Sequence, residues 1–134
     1  DAVLKVAGSV TKNITTDADN VELVGWVDDL KTFYQQCRLI INPCETGSGL
    51  KIKTIEAVGF GIPVVSTPCG AAGVEFLLPE ENVQDLISPA FTHRCLTLLR
   101  DEDEAHQQAN LCFQRLHQRV KHNRALLASL LQDS

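Results

Sequence analysis

Between Ala2 and Ser66 the chain alternates short apolar runs with stretches of helical period, and this alternation limits the possible folds more than any other feature of the sequence. Ala2–Ala7 reads as a strand closed by Gly8-Ser9, and Val21–Val24 as a second closed by Gly25. Leu30, Phe33, Tyr34 and Cys37 fall at i, i+3, i+4 and i+7 behind Asp28-Asp29, a capping pair, which predicts a helix. Leu39-Ile40-Ile41 is a third strand candidate. A helix is predicted from about Leu50 to Gly59, with Ile52, Ile55 and Val58 as its apolar stripe and Gly61-Ile62-Pro63 as its stop. Val64–Ser66 is the fourth strand. Strand and helix alternating at this spacing predict βαβ units and a parallel sheet. Little polar alternation within the runs predicts a sheet covered on both faces.

The remainder is more helical. Pro68–Gly70 and Gly73 mark a loop, and Val74–Leu78 reads as a short edge strand. A helix over Ala90–Leu99 leads to the acidic run Asp101–Glu104, and 105–131 reads as a long C-terminal helical segment in which Ala109, Phe113, Leu116 and Val120 keep helical spacing. With 134 residues the chain has material for one hydrophobic core.

A formal charge of −5 gives a mildly acidic surface, which argues against nucleic acid as a partner of the whole chain while leaving room for a local anion site. No apolar run reaches the ~18 residues of a membrane-spanning helix, so no transmembrane segment is expected. The five cysteines are odd in number, widely spaced and without a CxxC pair, the pattern of reduced, partly buried thiols in a cytoplasmic protein. No zinc site is indicated. The four histidines all lie in the helical last third, remote in sequence from Ser48 and Cys44, and no G-x-S-x-G elbow accompanies them, which weighs against a hydrolytic triad.

The segment Pro43-Cys44-Glu45-Thr46-Gly47-Ser48-Gly49-Leu50-Lys51-Ile52-Lys53-Thr54-Ile55-Glu56 concentrates the candidate chemistry. It runs from the carboxyl end of a predicted strand into a helix start, the place where open α/β sheets bind ligands and where unpaired backbone amides meet anions. Gly47 and Gly49 let the backbone come close to a phosphate, and Ser48 offers a hydroxyl. Lys51 and Lys53 leave the helix start in different directions, so one lysine serves an anion while the other stays solvated; Lys53→Ala is expected to weaken binding. Glu56, three residues past Lys53, is suited to accept hydrogen bonds from a vicinal diol. The glycines are not a dinucleotide fingerprint, since G-x-G-x-x-G would need glycine at Ile52, and they are not a P-loop.

Residues 21–74 resemble the nucleotide-sugar-binding C-terminal domain of retaining GT-B glycosyltransferases of the group 1 family. The likeness is carried by the ELVG strand, Pro43, the G-x-G-L-K-x-K-x-x-E turn and helix, Gly61-x-Pro63-Val64-Val65 and the Thr67–Gly73 loop. It implies a three-layer Rossmann-like parallel sheet and transfer of a sugar from a nucleotide diphosphate sugar, the donor substrate, to an acceptor, with no further cofactor and no metal. Gly47, Ser48, Gly49, Leu50, Lys51, Lys53 and Glu56 form the implied nucleotide-sugar site. Glu56 matches the second glutamate of the family's E-x7-E motif, which binds the ribose. Ser48 occupies the position of the first, and Glu45 is out of register.

The resemblance also implies that residues 1–134 are a partial domain. Ala2–Gly8 matches the family's second strand, so the first strand and helix of the sheet are expected to be missing, along with the N-terminal GT-B domain that binds the acceptor. A chain of this kind is expected to be inactive alone. The alternative is a degenerate, non-catalytic GT-B domain serving as a packing or protein-interaction module.

Overall fold

The computed structural model describes residues 2–132. They form a mixed α/β structure with short parallel strands and divide into two compact units, Asp1–Gln36 and Cys37–Ser134.

In the first unit β1 (Leu4–Ala7) pairs in parallel with β2 (Val21–Gly25), Leu4 opposite Val21 and Val6 opposite Leu23, with a slip at the end that sets Ala7 against Gly25. Parallel neighbours need a crossover, and here it is a 3-10 turn over Ser9–Asn13 with the chain that follows it. Helix α1 (Leu30–Gln35) starts where predicted because Asp29 caps it. Its carboxylate accepts the Thr32 hydroxyl at 2.6 Å and the Thr32 amide at 3.1 Å, and these two bonds hold its pKa below the usual carboxylate value. Tyr34 is buried, whereas Leu30 is 45% exposed, so the expected stripe is only partly used.

In the second unit β3 (Ile40–Asn42) and β4 (Val64–Ser66) pair in parallel through Ile40–Val64, Ile41–Val65 and Asn42–Ser66, with α2 (Ile52–Gly59) as their crossover. No strand ladder joins this pair to the β1–β2 pair among the described residues. A short helix α3 (Pro68–Ala71) follows, with Thr67 as N-cap and Pro68 in its first turn. Then come α4 (Pro89–Arg100), capped by the Ser88 hydroxyl, and α5 (Glu102–Gln132), whose first turn is capped by Asp101 accepting the Glu104 amide at 2.9 Å.

The core lies in this second unit. Every residue of β4 is buried. Val65 meets Phe91 and Leu98 of α4 and Ala105 of α5, with Leu39, Ile41, Leu86 and Cys95 around them. Val64, directed to the opposite face by strand alternation, is equally buried, and α2 also packs on β4. Arg94 of α4 joins three elements: its Nε donates to Asn82, and its guanidinium pairs with Glu104 and lies 3.8 Å from Glu81. Asn82 in turn donates to the Val64 carbonyl at 2.8 Å.

Four expectations are corrected. The strands are not all covered on both faces: β1 and β2 contain no buried residue. The face that α2 buries is Thr54, Ala57 and Val58, while Ile52 is 57% exposed. Val74–Leu78 is no edge strand. Gly73, at φ +82°, turns the chain, its amide donates to Glu75, and Glu75–Leu77 forms a 3-10 turn. In α5 the buried line is Ala105, Ala109 and Cys112, with Phe113 and Val120 left exposed. Among the described residues no helix is long and apolar enough to cross a membrane.

Candidate functional site

Asn42 and Ser66 end their strands side by side, and both turn from ladder to loop at that point. A buried polar knot holds the ends together. The Asn42 side-chain amide donates to the Thr54 hydroxyl at 3.0 Å and to the Gly70 carbonyl at 3.1 Å, and the Thr54 hydroxyl donates to the same carbonyl at 3.0 Å. The Thr67 hydroxyl donates to the Cys44 carbonyl and accepts the Gly70 amide. β3, α2, β4 and α3 thus meet in one hydrogen-bonded cluster, where every polar group inside needs a partner. Gly70 fits because it lacks a side chain: a Cβ there would lie 2.5 Å from Ser66 Oγ and 2.8 Å from the Asn42 carbonyl oxygen.

On this base stands the loop that leaves β3 at Pro43. Gly47, Ser48, Gly49 and Leu50 are all exposed, and Gly47 adopts φ +125°, a conformation that side chains strongly disfavour. Helix α2 begins at Ile52, so Leu50 and Lys51 precede it; Lys51 is the N-cap and provides no side-chain cap.

The two lysines separate sharply. Lys53 is exposed, whereas Lys51 is only 8% exposed. The Lys51 ammonium reaches back across the loop to the Gly47 carbonyl at 2.9 Å and lies 4.0 Å from the Cys69 sulfur. Among the described residues no carboxylate pairs with it. A charge removed from water calls for a counter-charge, and a carbonyl and a thiol are weak substitutes for one. Glu56 is half-buried, one turn further along α2 than Lys53. The structure therefore joins Gly47 and Lys51 directly, sets Ser48, Gly49 and Leu50 on the open side of the same loop, and leaves Lys53 outside this set.

The sequence reading missed the knot, and it missed Cys44 and Cys69 as neighbours of the loop. The Cys44 thiol donates to the Thr46 carbonyl at 2.8 Å, and Cys69 lies 3.8 Å from the Gly47 carbonyl oxygen. A polar Asn42 closing an apolar strand, and Thr54 within an otherwise apolar helix face, were the signals available. Among the described residues no cluster of three or more His, Cys, Asp or Glu side chains is placed to hold a metal ion.

Residues 1–101 match the family described as glycosyl transferases group 1. The chain belongs to the group 1 glycosyltransferases. This family match spans the first unit, the knot, the loop and all of α4, and it stops just before α5 begins. No curated protein and no solved structure gives a significant match to the chain.

Proposed function

We propose that this group 1 glycosyltransferase chain is the donor-binding portion of its enzyme, the C-terminal domain of a GT-B fold, and that it holds the diphosphate of a nucleotide sugar at the start of α2. The observation that carries this reading is Lys51, a buried ammonium with no carboxylate partner, directed at the base of an exposed glycine loop. In this role the backbone amides of Gly47–Leu50 and the Ser48 hydroxyl take phosphate oxygens. Lys51 supplies the charge, and the Glu56 carboxylate accepts hydrogen bonds from the ribose hydroxyls. Lys53, exposed beside them, adds at most a screened attraction, which moves the main lysine role from residue 53 to residue 51.

Transfer requires donor and acceptor to be held together, a contribution of about 7–11 kcal/mol. These residues supply one side of that arrangement, so the chain alone is expected to bind donor without turning it over. Ser48, standing where the family has its first glutamate, favours a second reading in which the domain binds no donor and serves as an interaction module.

Calorimetric titration with uridine, guanosine and adenosine diphosphates separates the two. Lys51→Ala is expected to weaken the binding of the preferred diphosphate by about 1.5–3 kcal/mol, the range for a hydrogen bond to a charged group, and Lys53→Ala by clearly less. If none of the three binds, the donor-site proposal fails and the interaction module stands.

A further inference from the structure

Two of the five thiols stand at the glycine loop. Asn42 pairs with Ser66 across the β3–β4 ladder, where neighbouring strands run about 4.8 Å apart. Cys44 follows the end of β3 by two residues, and Cys69 follows the end of β4 by three. Two bonds keep the chains side by side beyond the strand ends. The Thr67 amide donates to the Asn42 carbonyl at 3.1 Å, and the Thr67 hydroxyl donates to the Cys44 carbonyl.

Both sulfurs turn to the same short piece of the loop. Cys44 Sγ donates to the Thr46 carbonyl at 2.8 Å and would lie 4.0 Å from a Cβ on Gly47, while Cys69 Sγ is 3.8 Å from the Gly47 carbonyl oxygen. Lys51 Nζ, which bonds that carbonyl, is 4.0 Å from Cys69 Sγ. Both thiols are half-buried, so a small reagent can reach them. The other three cysteines differ. Cys95 and Cys112 belong to the core, where burial pushes their thiols up, and it is the thiolate that reacts. Cys37 precedes β3 and so stands at the opposite end of the strand pair. A disulfide needs Cα atoms about 4.4–6.8 Å apart. Adjacent strand ends are separated on that scale, and Gly47 and Gly49 give the loop the backbone freedom for the remaining adjustment.

We propose that Cys44 and Cys69 form a reversible disulfide across the base of the loop, with a low-molecular-weight disulfide such as oxidised glutathione as oxidant, and that this bridge shuts off nucleotide binding. Cys69 gives up its proton, its anion facing the Lys51 ammonium, and attacks one sulfur of the glutathione disulfide. That S–S bond breaks, and one glutathione leaves with the proton. Cys44 then attacks the Cys69 sulfur of the mixed disulfide, and the second glutathione leaves with the Cys44 proton. Two protein thiols are oxidised and one glutathione disulfide is reduced to two thiols. The bridge pins residues 44–47 to α3, so the loop amides lose the freedom to close on a phosphate. The effect on binding rests on the donor reading above; the bridge itself does not.

Peptide mapping tests the bridge in the 134-residue chain, equilibrated in glutathione buffers of rising oxidised fraction and then blocked at its free thiols with N-ethylmaleimide. Trypsin cuts after Arg38, Lys51, Lys53 and Arg94, so peptides 39–51 and 54–94 carry Cys44 and Cys69 as their only cysteines. They are expected as one disulfide-linked species that dithiothreitol separates. In calorimetry, oxidation is expected to weaken binding of the preferred nucleoside diphosphate by about tenfold or more, the weight of a hydrogen bond to a charged group, and dithiothreitol should restore it. Cys44→Ser, whose hydroxyl still donates to the Thr46 carbonyl, should bind as the reduced chain does and form no linked species. No bridge at any oxidised fraction, a bridge to another cysteine, or glutathione left on single thiols overturns the proposal. So does a bridged chain that binds diphosphate as well as the reduced one. If the reduced chain binds none of the three diphosphates, the donor reading and its control fall together, while the peptide map still decides the bridge.

Discussion

β1–β2 and β3–β4 are both short parallel pairs of mainly apolar residues, and a reader of the sequence would give them equal standing. Their surroundings differ. β4 is buried along its length and is packed by α2 and α4, whereas no residue of β1 or β2 is buried. The ladder is the same; the difference lies in what covers it. Since apolar burial provides most of the stabilisation, the second pair is expected to anchor stability, with the first contributing little beyond its own hydrogen bonds.

The sharpest way to break this contrast is to remove one leucine from each region. Leu98→Ala, at a site 1% exposed, should cost about 2–5 kcal/mol in urea denaturation, against about 0.5 kcal/mol or less for Leu4→Ala, which is 42% exposed. A Leu4→Ala cost equal to that of Leu98→Ala would place the core elsewhere. Gly70→Ala comes next. Its added methyl meets Ser66 and Asn42 well inside contact distance, and overpacking of this kind costs about 1–3 kcal/mol. Because the clash sits in the knot beneath the 43–50 loop, it should also weaken nucleoside diphosphate binding in calorimetry. Gly25→Ala meets nothing closer than Thr11 Oγ1 at 4.0 Å but places a side chain at φ +76°, so it should cost stability in the first unit while leaving nucleoside diphosphate binding untouched.

The smallest effect is a pH response confined to one region. Burial pushes the Cys112 thiol from 9.0 up to about 11, outweighing the nearby Arg115. Because the folded value is the higher one, this contribution to stability is complete below pH 9.0 and is lost as the pH rises through about 11. Residues 1–36 contain no cysteine. Helical circular dichroism in urea should therefore weaken over that interval, and Cys112→Ala should flatten the response. The fluorescence of Trp26, in the first unit, should not follow it.

Legibility in the sequence followed the range of the forces involved. Val64–Ser66 was found to the residue because Gly61 and Pro63 mark its entrance locally, and Asp29 capped its helix because capping is a short-range bond. The mainly apolar segment Val74–Leu78 failed as a strand because five residues of this kind fit more than one conformation, and the bond from the Gly73 amide to Glu75 settles it. In α2 the isoleucines looked like the core face, yet the helix rotates Thr54 inward to satisfy Asn42 and Gly70, residues 12 and 16 positions away. At the candidate site the loop and its residues could be read from the glycine spacing. Which lysine turns inward could not, since that depends on Gly47 and Cys69 closing around it.

The junction Asn42-Pro43 has a chemical consequence beyond geometry. An asparagine side chain degrades over time when the backbone nitrogen of the next residue attacks its amide carbon to form a cyclic imide, and that step requires a nitrogen bearing a hydrogen. Proline has none, and of the six asparagines in the chain only Asn42 is followed by proline. The amide that ties β3 to α2 and α3 is thereby closed to the commonest route of spontaneous deamidation. Conversion to aspartate there would put a negative charge within reach of the Gly70 carbonyl oxygen. The amide that ties the knot together is thus also one that imide formation cannot reach.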